Sequence, residues 1–219
     1  MVDQTRHAAK TKYGLTGRDK QLILDLALKA RLMTASQISD HYFNSKFRVA
    51  SRRLRILCDR GWLVGTIAFV PQPPSIIRPL YSSAYGIDPP DFSLVSKFLL
   101  ARSRFRQVVK QTIIRVTVKG ILLTLGVKRL AKSPHHQIGH DIGMAEVILL
   151  LKRIAPKQYH QLIGEDCLTS EAFPGFLPDG IVETEDRVHV VEFGGAYDVD
   201  RLRVIHESCE SLGVTYDLY

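Results

Sequence analysis

Three stretches in the first third of the chain carry apolar residues at helical spacing. From about Arg18 to Ala30, the residues Leu22, Ile23, Leu26, Ala27 and Ala30 share one face. MTASQISDHYF opens a second helix: Thr34 and Gln37 have the spacing of a capping box, and Ala35, Ile38 and Tyr42 face inward. KFRVASRRLRILCDRGW is the third. Phe47, Ala50, Leu54 and Leu57 make its inward stripe, Arg48, Arg52 and Arg55 the opposite one, and Gly61 is placed to stop it. Beyond Gly61 the chain leaves the helical period. WLVGTIAFV and IIRPLYS read as two strands around the Pro-rich tip PQPPS, a β-wing.

Further on, the prolines and aspartates of GIDPPDFS, Gly86 to Ser93, mark a boundary. A helix is predicted from about Phe92 to Gln107. RVTVKGILLTLG is ambiguous, with Arg115 to Val118 alternating like a strand and Lys119 to Leu125 compatible with a short helix. HDIGMAEVILLLKRI, to Ile154, predicts a helix buried on most sides with one carboxylate, Glu146, in its middle. Gln158 to Glu165 is a candidate strand. A second strand follows Asp179, and a third runs from Arg187 to Phe193. Tyr197 to Leu212 is helical, with Leu202, Ile205 and Cys209 on one face, and VTYDLY is a last strand. The expected organisation is α+β or α/β. A basic arm (residues 1–14) precedes a winged helix-turn-helix (15–85), a basic connector (86–134) and an αβββαβ restriction-endonuclease-like unit (135–219).

Charge gives the helix pattern a partner. Residues 1–140 hold 24 Lys+Arg against 7 Asp+Glu, a net of +17, whereas residues 141–219 hold 6 against 15, a net of −9. A basic unit of that kind suits a polyanion, because neutralising phosphates releases condensed counterions. In a winged helix the third helix enters the major groove of double-stranded DNA. Arg48, Arg52 and Arg55 are therefore the candidates for base-edge or phosphate contacts, with Ser45, Lys46 and Ser51 near the start of the helix. The alternative is a solvated arginine face used for protein contacts. Between Ser93 and Lys132 further Lys and Arg residues either extend the DNA footprint or are ordinary solvated faces. The apolar runs are far shorter than a membrane span needs, and the polar N-terminus has no signal-peptide core, so no membrane is expected and a cytoplasmic location is. Cys58, Cys167 and Cys209 fit no metal or disulfide spacing and read as reduced thiols.

His135, His136, His140 and Asp141 invite a metal-site reading, but no fourth ligand has zinc spacing, and structural histidines at a helix start are the better reading. Glu146 inside an apolar run needs a partner, a wet cleft or a cation. The element order, with a helix glutamate, PD opening the second strand and Glu closing the third, resembles the PD-(D/E)xK nuclease superfamily. The resemblance implies Asp179 and Glu192 as ligands of Mg²⁺ or Mn²⁺, Glu146 as an assisting carboxylate, and a lysine at residue 194 to activate water. Residue 194 is Gly. That departure implies a dead or repurposed nuclease fold with no cofactor, unless Arg187, Arg201 or Arg203 replaces the cation. Most of residues 15–219 resembles the plasmid replication-relaxation family. The matching features are LTGRDKQLILDLALKARLMTASQI, RVASRRLRILCDRGWL, RVTVKG, HDIGMAEV and PDGIV followed by VVEFGG. The resemblance implies a DNA-binding accessory protein of plasmids or mobile elements, with a relaxase or replication initiator as a partner. In many such relatives an acid stands where nucleases carry the lysine. Homodimerisation is a further expectation, since two half-sites suit two copies.

Overall fold

Capping sets the start of the first two helices. In this computed structural model, which describes residues 14–84, 88–104, 106–124 and 137–219, α1 (Gly17–Leu28) begins at Thr16. The Thr16 N–H donates to Asp19 Oδ2 at 2.7 Å, and the Asp19 N–H returns a bond to Thr16 Oγ1. A short strand, β1 (Met33–Thr34), leads into α2 (Ala35–Tyr42), where Thr34 and Gln37 close the predicted box at 3.0 and 3.1 Å. Asn44 and Ser45, both at positive φ, turn the chain into α3 (Phe47–Asp59), and Gly61 ends that turn of helix at φ +72°. A left-handed residue there is what glycine supplies at least cost.

β2 (Leu63–Pro71) follows and pairs antiparallel with β4 (Val108–Val116) over its whole length, from Leu63 opposite Val116 to Pro71 opposite Val108. β1 lies on the other side of β4, giving a three-stranded sheet. The expected partner of β2 at residues 76–82 is therefore wrong. Pro73, Pro74 and Pro79 have no N–H to give a ladder. The chain instead leaves on an excursion, and β3 (Tyr81–Ser82) joins a second sheet. α4 (Phe92–Arg104) completes the excursion, and α5 (Val118–Ile121) follows β4.

The second sheet has the order β3-β8-β7-β6-β5. β5 (Leu162–Gly164), β6 (Gly180–Glu183) and β7 (Val188–Glu192) run antiparallel in succession, and β8 (Thr215–Leu218) lies parallel to β7. The strand expected from Gln158 begins only at Leu162. Pro156, preset for the first turn of a helix, starts α7 (Pro156–Gln161) instead. Alternate residues face opposite ways. Val182 and Val191 share a core with α6 (Ile138–Ile154), while Ile181 and Val190 share one with α8 (Val199–Ser211) and Leu99 of α4.

α6 is buried nearly all round because it touches both halves: its residues 144–151 share one core with α1, α2, α3 and β7. A polar knot fastens the join. Asp25 of α1, fully buried, accepts from the hydroxyls of Tyr42 and Tyr159, from Gln21 at 3.0 Å and from Lys152 of α6 at 3.4 Å. The Lys152 ammonium also lies 3.6 Å from the Tyr42 ring centroid. Cys58, Cys167 and Cys209 form no disulfide among the described residues. Nor is any described helix long and apolar enough to cross a membrane.

Candidate nucleic-acid interface and carboxylate centre

α3 divides its arginines between two tasks. Arg53 turns inward and binds Asp19 of α1, with Nε 3.0 Å from Oδ1 and Nη2 on Oδ2. Burial opposes ionisation of Asp19, but the bonds from Arg53 and Thr16 outweigh it and hold the carboxyl below its usual range. Arg48, Arg52 and Arg55 project outward with Lys46 and Ser45, while Ser51 is half-buried. No carboxylate pairs with any of the three among the described residues. Phe47, expected in the buried stripe, is 56% exposed. The buried stripe is Ala50, Leu54 and Leu57 alone, and Phe47 sits at the first position of α3. It lines a groove of about 400 Å³ with Ile67 of β2 and Lys110 and Thr112 of β4. Phe69, 76% exposed and paired with Lys110 across the ladder, continues that apolar rim.

The register of β6 and β7 brings Asp179 and Glu192 together. Gly180 lies opposite Val191, so the residue before one strand meets the last residue of the other. The Asp179 N–H donates to Glu192 Oε1 at 3.0 Å, and the Phe193 N–H donates to Asp179 Oδ2 at 2.9 Å. His140, in the first turn of α6, places Nε2 3.1 Å from Asp179 Oδ2, and the Tyr197 hydroxyl donates to Glu192 Oε2 at 3.0 Å. Burial and the neighbouring Asp179 push Glu192 well above its usual range, so the protonated acid is favoured. For His140, burial works against the charge, but Asp179 and Asp141 overcome it and raise its pKa. The centre joins two acidic side chains, an imidazole and a phenol hydroxyl in one hydrogen-bonded cluster.

Glu146 does not reach this centre. It accepts from Gln37 of α2 at 3.0 Å and lies 4.0 Å from His41, so its partner is the first half of the chain. Asp141 belongs instead to a second acidic group. Arg31, from the loop after α1, reaches Glu165 at 2.9 Å, Asp166 at 2.8 Å and Asp141 at 3.9 Å.

The donor set does not suit the divalent ion that the nuclease resemblance implies. A hard cation needs several oxygens with free lone pairs. Both Glu192 oxygens and Asp179 Oδ2 already accept from the chain's own donors, and Glu192 has no exposure at all. The His140 ring, 3.1 Å from Asp179 Oδ2, stands where a third oxygen would be needed. Among the described residues no three His, Cys, Asp or Glu side chains converge to hold a metal. Gly194 is also closed to a side chain: a Cβ there would lie 2.7 and 2.9 Å from the Leu99 methyls and 3.0 Å from a Leu218 methyl.

No family model, curated protein or solved structure matches the chain.

Of the arginines considered as substitutes for the lysine, Arg187 is exposed in the turn between β6 and β7, and Arg203 pairs with Asp200 at the surface. Arg201 comes nearer. Its guanidinium lies 5.6 Å from the Tyr197 ring centroid, and its charge acts on Glu192 without offsetting the burial. His135 and His136 lie outside the described residues, as do Lys128, Arg129 and Lys132. Sequence reasoning missed His140, Tyr197 and Arg31 as members of these clusters. The signal for Tyr197 was at hand, a tyrosine five residues beyond the strand glutamate, whereas Arg31 meets its acids only through tertiary packing.

Proposed function

We propose that this protein binds double-stranded DNA through α3 and serves as an accessory factor of a plasmid or mobile element. Its C-terminal unit is a non-catalytic, nuclease-like scaffold. The observation that carries the DNA reading is the exposed face of Arg48, Arg52 and Arg55, unpaired among the described residues and backed by a net charge of +17 over residues 1–140. Cations that are left unneutralised on one helix face suit phosphates and guanine edges. The succession α1–β1–α2–α3 followed by the long antiparallel β2–β4 ladder supports a winged helix, with Lys110 and Phe69 on the wing. The helix–three-strand–helix–strand order, with β8 parallel to β7, supports a restriction-endonuclease-like scaffold.

Replacing Arg48, Arg52 and Arg55 together by Ala tests the reading. Loss of three phosphate contacts reduces the slope of log K against log salt by about 2.7. Duplex binding with unchanged affinity and slope removes α3 from the interface. The competing reading is a Mg²⁺- or Mn²⁺-dependent endonuclease with Asp179 and Glu192 as ligands. Supercoiled plasmid incubated with the protein and Mn²⁺ decides against the scaffold if it is nicked by wild type and left intact by Asp179→Ala.

A further inference from the structure

A cavity of about 470 Å³ opens between the outer half of β2 and the turn after β7. Ile67, Phe69 and Ile138 form its apolar wall, Arg102 and Arg106 its polar wall, and none of its lining side chains is a carboxylate. Arg106 donates from Nε and Nη2 to the Gln72 carbonyl and from Nη1 to the Gly139 carbonyl at 3.1 Å. Arg102 uses Nη2 alone for its bonds to the main-chain oxygens of Gly194 and Tyr219, both 2.8 Å. Its Nε and Nη1 have no acceptor among the described residues.

Two half-buried guanidinium groups on one cavity repel each other. Burial lowers both pKa values, and the charge of Arg102 lowers Arg106 further, to about 10. The start of α6 adds to the field. Gln137 gives no side-chain cap, and Gly139 and His140 of the first turn line the same cavity. The volume lies within the range of small-ligand sites. A guanidinium fork matches phosphate oxygens.

We propose that this cavity binds the phosphate of a nucleotide, with Ile67, Phe69 and Ile138 against its base. The site shares Ile67 with the groove beside Phe47 but holds none of Arg48, Arg52 and Arg55, so the α3 variant and the cavity variants test different groups. The phosphate belongs either to a free nucleotide or to the end of a DNA strand.

Thermal unfolding with inorganic phosphate and with deoxyadenosine 5′-monophosphate, each at about 10 mM, tests the site at constant ionic strength against chloride. Both ligands are expected to raise the melting temperature, the nucleotide more. Ala196→Asp puts a carboxylate on the exposed rim without removing a contact, and is expected to weaken both ligands about tenfold or more. Arg102→Lys, which keeps the charge but loses the fork, should weaken them less. In a competition assay, a short strand bound more tightly with a 5′-phosphate than without assigns the site to strand ends. Equal strands with competing nucleotide assign it to free nucleotide. No shift in wild type, or the same shift in Ala196→Asp, overturns the proposal whatever the α3 variant does.

Discussion

Gly194→Ala adds one methyl group at the point where the nuclease pattern would carry its lysine. Its Cβ would sit 2.7 and 2.9 Å from the two Leu99 methyls and 3.0 Å from Leu218 Cδ1, whereas carbon atoms rest comfortably at about 3.5–4.0 Å. Leu99 is fully buried and Leu218 is 2% exposed, so neither escapes toward water. Overpacking of that kind costs about 1–3 kcal/mol. Because three methyls are crowded at once, about 2 kcal/mol is expected. Leu99→Ala alone should cost about 2–4 kcal/mol through the cavity it leaves. In the Leu99→Ala background two of the three close contacts vanish, and the cost of Gly194→Ala should fall below about 0.5 kcal/mol. Urea unfolding of the four proteins, followed by far-ultraviolet circular dichroism, measures the cycle. Equal costs of Gly194→Ala in both backgrounds would refute the packing argument.

The carboxylate centre predicts a pH dependence. His140 and Glu192 both have folded pKa values above their ordinary ones of 6.5 and 4.5, so their contribution is full below those values and is lost as pH rises through the folded ones. Their contribution to the unfolding free energy should therefore decline as pH rises above those ordinary values, and Glu192→Gln should flatten the decline; an unaltered slope in that variant removes Glu192 from the account. Tyr159→Phe takes one donor from the buried Asp25 and should cost about 1–3 kcal/mol in the same urea assay. Arg31→Ala leaves Asp141, Glu165 and Asp166 facing one another. It should cost about 2 kcal/mol, less than a fully buried pair because Glu165 is partly exposed, and acidification should recover part of the loss. Mg²⁺ at millimolar level should leave the melting temperature unchanged, and a rise that depends on Asp179 would contradict the donor-set argument.

Much of this was legible locally. The capping box of Thr34 and Gln37, the stop at Gly61 and the inward faces of α1, α2 and α8 follow from short-range chemistry, and all appear. The meeting of Asp179 with Glu192 was expected from the nuclease resemblance alone, and the register of β6 on β7 supplies it. What failed was long-range. Nothing near residues 76–82 says that Tyr81 will pair with Leu218, or that β2 will wait for residues 108–116. Glu146 was assigned to the wrong partner for a physical reason. α6 is apolar on nearly every side, so its sequence carries no stripe to tell which face meets the second sheet. The structure turns His140 toward the sheet and Glu146 toward α2. Phe47 read as core because the helical period puts it on the inward stripe, whereas in the fold it lines the groove beside β2 and β4.

The place of β8 sets an order on synthesis. β3 has a single strand neighbour, and that neighbour is 215–218, more than 130 residues downstream. Ribosomes add about 5–20 residues per second, so Tyr81 and Ser82 wait roughly 7–27 s for it. Through that interval the apolar side of α4 around Leu99 also lacks Leu218 and Ile205, its partners in the folded core. The central seam between β3 and β7 closes only when the last strand slides in beside both. A nascent chain stalled before residue 215 already holds α1, α2 and α3 while its second sheet stands open, a substrate for chaperones or proteases.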